Sequence, residues 1–122
     1  MSNMPYAIEH QRQLSEEERN LVSFLLENEA PQYLSQLASL LVIDRCGCGK
    51  CPTIMFGSQG HEVPEFGEFT KLADYIGKAD DGVLVGVMLL ERNGVISELE
   101  AWSPAGEDIR KWPAIENLAQ ID

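Results

Sequence analysis

The apolar residues that follow position 14 recur at the three- and four-residue spacing of an amphipathic helix. They are Leu21, Val22, Leu25 and Leu26. Just before them, Ser15 and Glu18 stand at the spacing of a capping box, in which each side chain accepts a hydrogen bond from the other residue's backbone amide. We therefore predict a helix over residues 15–28. Residues 1–13 carry little pattern and are expected to form an N-terminal arm.

A second apolar stripe begins after Pro31, a residue that suits the first position of a helix. Its members are Leu34, Leu37, Ala38 and Leu41, and the sequence turns β-rich near residue 40. A shorter stripe near the C-terminus comprises Trp112, Ile115 and Leu118. These stripes predict a second N-terminal helix and a short C-terminal helix docked on the body.

The remaining apolar segments predict about five strands, at residues 40–44, 53–56, 72–76, 83–92 and 95–102. Asn93-Gly94 is the strongest hairpin signal of the chain, because a type I′ turn needs positive φ at both of its central residues. The predicted fold class is α+β: two N-terminal helices packed on an antiparallel sheet of about five strands, with a short C-terminal helix. We expect a single domain over residues 1–122.

The charge of the chain narrows its expected partners. Twenty Asp and Glu residues against nine Lys and Arg give a net charge of −11. Such a surface repels nucleic acid and anionic lipid and attracts a cationic protein. The longest apolar run, near residues 83–90, fits a buried strand and is too short to span a bilayer. Residues 1–5 have neither the basic nor the apolar segment of a secretory signal, so we expect a cytoplasmic protein.

All three cysteines lie within residues 45–53, Arg-Cys-Gly-Cys-Gly-Lys-Cys-Pro-Thr. In one interpretation, Cys46, Cys48 and Cys51 bind zinc as thiolates with His61 as the fourth ligand, a Cys₃His set that zinc accepts. In a second interpretation, Cys48 and Cys51 form a CxxC redox pair, although the strand predicted after them offers no helix N-terminus to stabilise a thiolate.

The third interpretation, which we prefer on the sequence alone, gives the cysteine segment a structural role. Gly47 and Gly49 would allow a tight connection between two strands, with the cysteines as small apolar side chains. No cofactor is then expected, and zinc is the metal that the cluster would take if it binds one.

The same segment resembles the Cys-Gly-Cys-Gly-Cys-Pro-Thr segment of small, uncharacterised bacterial proteins. In those proteins, as here, a Leu-rich helical N-terminus precedes the segment. A Val-Leu-Leu strand (residues 87–90 here), a Gly turn and a Leu-Glu strand (residues 97–100) follow it, and a Pro-rich tail resembles residues 112–118. This chain differs by the insertion of Lys50 before Cys51. The resemblance implies no activity.

No catalytic set is evident elsewhere. His10 and His61 are the two histidines, and neither stands in a metalloprotease motif; no phosphate-binding loop or nucleophile elbow is present. We therefore expect a non-enzymatic protein.

The last predicted strand suggests a binding surface. Glu98, Glu100 and Trp102 alternate with residues that would face the helices, so two carboxylates and an aromatic ring would share the other face. The alternative is that the C-terminal segment covers this face through Trp112 and Ile115. With the charge of −11, this face predicts an immunity or inhibitor protein that neutralises a cationic bacterial toxin, such as a nuclease. The overall look is similar to immunity proteins of contact-dependent toxin systems. A zinc-binding domain and a thiol oxidoreductase are the alternatives.

Overall fold

The described residues form a seven-stranded antiparallel sheet with one α-helix packed on one face. The computed structural model describes residues 7–48, 51–58 and 69–121. The elements are β1 (Ala7–Arg12), α1 (Glu16–Glu29), β2 (Leu40–Cys46), β3 (Ile54–Ser58), β4 (Phe69–Lys78), β5 (Leu84–Arg92), β6 (Val95–Trp102) and β7 (Ala119–Gln120). The order across the sheet is β1-β2-β3-β6-β5-β4-β7. Within the described ranges, no helix is long and apolar enough to cross a bilayer.

Helix α1 begins at the predicted capping box. Ser15 Oγ accepts a hydrogen bond from the Glu18 amide at 3.1 Å, and the Glu18 carboxylate accepts one from the Ser15 amide at 2.8 Å. Two guanidinium nitrogens of Arg12, the last residue of β1, also bind this carboxylate, each at 2.7 Å. Burial alone would raise the pKa of Glu18, but these hydrogen bonds hold it below its usual value. The predicted helix is confirmed, and the contact between Arg12 and Glu18 connects its first turn to the edge strand β1.

The predicted arrangement of two helices on a sheet of about five strands is wrong. The second predicted helix is a 3-10 segment, Pro31–Ser39, in which the Tyr33 amide donates to the Ala30 carbonyl three residues back. None of its residues is fully buried. Tyr33, Leu34 and Leu37 are only partly buried against the core, so the segment has less of the tertiary packing that stabilises most α-helices. The predicted C-terminal helix is a single 3-10 turn, Ile115–Asn117.

Two strands of the described sheet had no predicted counterpart, and both lie at its edges. β1 takes up residues 7–12 of the expected arm, and β7 is two residues long. Neither sequence has the apolar alternation of a strand that faces a core. Short or polar edge strands limit pairing with another chain. The five predicted strand segments overlap the other five strands.

The core lies between α1 and one face of the sheet. Its fully buried apolar side chains are Leu21, Val22, Leu25, Leu26, Val42, Phe56, Val85, Val87, Leu89, Ile96 and Leu99. Burial of each such side chain contributes roughly 1.5–3 kcal/mol. The hairpin between β5 and β6 turns at Asn93 and Gly94, both with positive φ as predicted.

The sheet face away from α1 carries a close contact between two cross-strand neighbours, Gly86 in β5 and Trp102 in β6. A Cβ atom at residue 86 would overlap Cε2 and Nε1 of the indole ring. The Nε1 atom is buried and, among the described residues, makes no hydrogen bond. The ring therefore requires glycine at position 86.

The ladder between β3 and β6 is short. It pairs Ile54 with Leu99 and Met55 with Glu98, whereas β4 and β5 pair along almost their whole length. This ladder, which we call the β3–β6 junction, joins β1-β2-β3 to β6-β5-β4-β7 in the middle of the sheet. The cysteine segment lies directly beside it.

Candidate metal centre

The three cysteines lie at the connection between β2 and β3. Cys46 ends β2, Cys48 follows in a turn, and Cys51 stands shortly before β3. The Cys46 amide donates a hydrogen bond to the Thr53 carbonyl at 3.0 Å. This bond closes the base of the connection, so the two strands hold the first and the last cysteine close together.

The three sulfur atoms converge on one another. The Sγ atom of Cys48 lies 3.2 Å from that of Cys46 and 3.3 Å from that of Cys51, and all three lie within 4.8 Å of one another. Cys48 is exposed, whereas Cys46 and Cys51 are half-buried. In the part of the chain that the structure describes, no other group of three or more His, Cys, Asp or Glu side chains converges in this way.

This geometry is close to what a thiolate metal site requires. Zinc binds cysteine sulfur at about 2.3 Å in tetrahedral geometry, which separates two sulfur ligands by about 3.8 Å. The two shorter sulfur separations therefore need to widen by about 0.5 Å, a change that small side-chain rotations supply. Sulfur ligands select thiophilic ions over magnesium and calcium, which prefer oxygen. The cluster could thus bind a metal ion through three ligands.

The Cys46 thiol is held in its neutral form. Burial is the main reason that its pKa rises to about 12, and the side chains of Cys48 and Cys51 raise it further. A hydrogen bond to the Cys48 backbone acts in the opposite direction. Because thiolates are the metal-binding form, a metal ion that binds here has to displace protons.

Thr53 connects the cysteine segment to the central strand of the sheet. Its buried hydroxyl accepts a hydrogen bond from the Ala101 amide at 2.9 Å and lies 3.4 Å from the Ala101 carbonyl oxygen. The Cys51 sulfur lies 3.4 Å from the same hydroxyl. One side chain therefore fixes the position of Cys51 relative to β6 and extends the β3–β6 junction.

The Thr53→Val substitution is expected to lower the free energy of unfolding by about 1–3 kcal/mol, because it leaves the buried Ala101 amide without an acceptor. Urea denaturation monitored by circular dichroism measures this loss. Thr53→Ser keeps the hydroxyl and is the matched control, for which a smaller loss is expected. A Thr53→Val protein that is as stable as wild type would contradict a stabilising role of this hydrogen bond.

The other predicted site residues have different surroundings. His61, the predicted fourth ligand, lies outside the described residues. Glu98 is 2 % exposed, which contradicts its expected exposure, because it lies on the central strand of the sheet beside the buried Met55. Glu100 and Trp102 are half-buried, and burial raises the pKa of Glu100. A role of this strand in binding a partner stays a prediction.

Sequence reasoning missed Thr53 and an open cavity beside the cysteine segment. The signal for Thr53 is its place in the Cys-Pro-Thr motif, which does not by itself indicate a partner for the hydroxyl. The cavity has a volume of about 450 Å³ and is lined by Glu17, Glu18, Pro52, Asp80, Arg110, Lys111 and Trp112. These residues come from four separate parts of the chain, so no local pattern could have predicted their meeting.

In comparisons with known proteins, no family model, curated protein or solved structure matches the chain. The resemblance to small bacterial proteins and the likeness to immunity proteins therefore stay predictions. Among the side chains that the structure describes, the cysteine cluster is the most specific indication of a function.

Proposed function

We propose that this protein binds zinc through Cys46, Cys48 and Cys51. The convergence of the three sulfur atoms within 4.8 Å is the observation that supports this proposal. A loop whose only role is to connect two strands would not require its three cysteine side chains to converge. Zinc is the common biological ion that combines a preference for sulfur with tetrahedral coordination and no redox chemistry of its own.

The fourth ligand in this proposal is His61, which would complete a Cys₃His set. A water molecule is the alternative fourth ligand and would leave the zinc open to a substrate. Replacement of His61 by alanine separates the two, because the first arrangement loses a protein ligand and the second does not.

The wild-type protein, refolded with zinc and dialysed without chelator, is expected to retain one zinc ion per chain, measured by atomic emission. Cobalt in place of zinc should give sulfur-to-metal charge-transfer absorption. Each of Cys46→Ser, Cys48→Ser and Cys51→Ser is expected to weaken zinc binding at least 100-fold, since loss of a ligand's supporting partner alone costs about 10–100-fold.

Arg45→Ala is the matched control for the serine variants. Arg45 is an exposed residue next to Cys46, and its loss should leave the metal content unchanged. A folded wild-type protein that retains no zinc, gives no cobalt–thiolate absorption and shows three freely reactive thiols would overturn the proposal.

A second candidate function is inhibition of a cationic toxin by an immunity-type mechanism. Its support is the net charge of −11 and the exposed acidic residues Glu16, Glu17, Asp80 and Asp81 at the start of α1 and the β4–β5 turn. Binding of a basic protein encoded beside this gene should weaken steeply as the salt concentration rises. A neighbouring gene without such a product, or salt-independent binding, would contradict it.

A further inference from the structure

Cys48 occupies a special position in the cysteine cluster. It is the exposed member, and its sulfur lies in contact with both of the others, at 3.2 Å from Cys46 and 3.3 Å from Cys51. An oxidant that arrives from solvent therefore meets Cys48 first, because access strongly affects the rate at which a thiol is oxidised. Two further thiols are in place to react with the product.

We propose that Cys48 is a peroxide-reactive thiol that closes a disulfide with Cys46 or Cys51, and that this disulfide excludes the metal ion. The inference deepens the proposed function, since it names the regulation of the same site; its metal-release part rests on that function, and its thiol chemistry does not. The cluster would then hold metal when reduced and release it when oxidised.

The chemistry proceeds in two balanced steps. The Cys48 thiolate attacks one oxygen of hydrogen peroxide and breaks the O–O bond, which gives a sulfenic acid and hydroxide. The thiol of the neighbouring cysteine then loses its proton, attacks the Cys48 sulfur, forms the S–S bond and expels the hydroxyl group as hydroxide. With the two protons that the thiols release, both hydroxides become water. In total, two thiols and one peroxide give one disulfide and two waters.

The disulfide removes two of the three sulfur ligands. A metal-binding sulfur has to be a thiolate, and neither sulfur of a disulfide is one. One remaining thiolate, even together with His61, would give the ion only two protein ligands, fewer than the three or four of protein zinc sites. Reduction by a dithiol restores three thiols and hence the site.

The metal-free, full-length protein treated with one equivalent of hydrogen peroxide tests the thiol chemistry. Thiol titration should fall from three thiols to one, and Cys48 should be present in every disulfide. Trypsin cuts after Arg45 and Lys50, so a Cys46–Cys48 disulfide stays within residues 46–50 and loses two hydrogens. A Cys48–Cys51 disulfide instead links that peptide to residues 51–71, with Cys46 recovered alkylated.

Variants decide whether Cys48 is the reactive thiol. Cys46→Ser and Cys51→Ser each keep Cys48 with one neighbour and should still form a disulfide. Cys48→Ser should lose thiols at least about tenfold more slowly, since its two remaining thiols are half-buried and access governs oxidation. Equal oxidation rates in Cys48→Ser and wild type, or recovery of Cys48 in its alkylated form from the oxidised protein, would overturn the proposal.

The zinc-loaded protein tests the coupling. Peroxide should release the ion, measured with a zinc-responsive dye, at the rate at which the disulfide forms, and a dithiol with added zinc should restore the complex. Zinc that stays bound after the disulfide has formed would refute the metal-release part. A protein that oxidises at Cys48 but never binds zinc would refute the proposed function and leave the thiol chemistry intact.

Discussion

Replacement of Gly86 by alanine is expected to lower the free energy of unfolding by about 3 kcal/mol, at the upper end of the usual cost of overpacking. The added Cβ would overlap the indole ring of Trp102, its neighbour on β6. Relief requires the ring to leave the sheet surface or the two strands to separate. Urea denaturation followed by circular dichroism gives the loss.

A substitution at Trp102, the neighbour of Gly86 on β6, provides the rescue experiment. In a Trp102→Leu background the smaller side chain leaves space for the alanine, so the Gly86→Ala substitution should cost at least about 1 kcal/mol less there, a coupling within the usual range for contacting residues. Gly82→Ala is a matched control: Gly82 has φ of +86°, and a Cβ atom added there would meet no atom within 4 Å. Its cost of about 1–2 kcal/mol comes from the backbone alone. A Gly86→Ala cost that is the same in both Trp102 backgrounds would contradict the steric explanation.

Phe56→Ala is expected to have the larger effect, a loss of about 3–5 kcal/mol. Phe56 is fully buried in β3 beside Val42 and faces the core that α1 covers. Because the β3–β6 junction is short, β3 depends on this buried ring to stay attached to the rest of the sheet. Such a loss is a large part of the stability of an ordinary domain, so thermal and urea unfolding should both report it.

Phe69→Ala is the matched control for Phe56. Phe69 is 45 % exposed and lies under the Arg92 guanidinium at 3.7 Å, a contact that contributes about 0.5–1 kcal/mol at an exposed site. The expected loss is of that size. Equal losses at residues 56 and 69 would show that the core is not organised around Phe56.

The elements that could be predicted are those whose signals are local. Ser15 and Glu18 lie three residues apart and specify the start of α1, and Asn93-Gly94 specifies a turn by backbone preference alone. The strand order could not be predicted, because it depends on pairings between distant segments. The 3-10 conformation of Pro31–Ser39 also depends on tertiary contacts, since its apolar spacing equally suits an α-helix.

The candidate site was predictable in composition and not in geometry. The spacing of Cys46, Cys48 and Cys51 allowed a metal site, a redox pair or a simple turn, and the convergence of the sulfur atoms favours the first two over the third. The burial of Glu98 had no sequence signal, because alternation along a strand distinguishes two faces without showing how deeply each is covered.

The cysteine cluster lies beside the β3–β6 junction, so the proposed metal binding would couple occupancy of the cluster to the stability of the fold. A ligand that binds only the folded state at a free concentration 100 times its Kd adds about 2.7 kcal/mol to the free energy of unfolding. The binding site lies next to the short ladder that joins the two parts of the sheet. Amide hydrogens of β3 and of the adjoining end of β6 should therefore exchange with solvent more slowly when the cluster is occupied, although these backbone groups do not bind the ligand themselves.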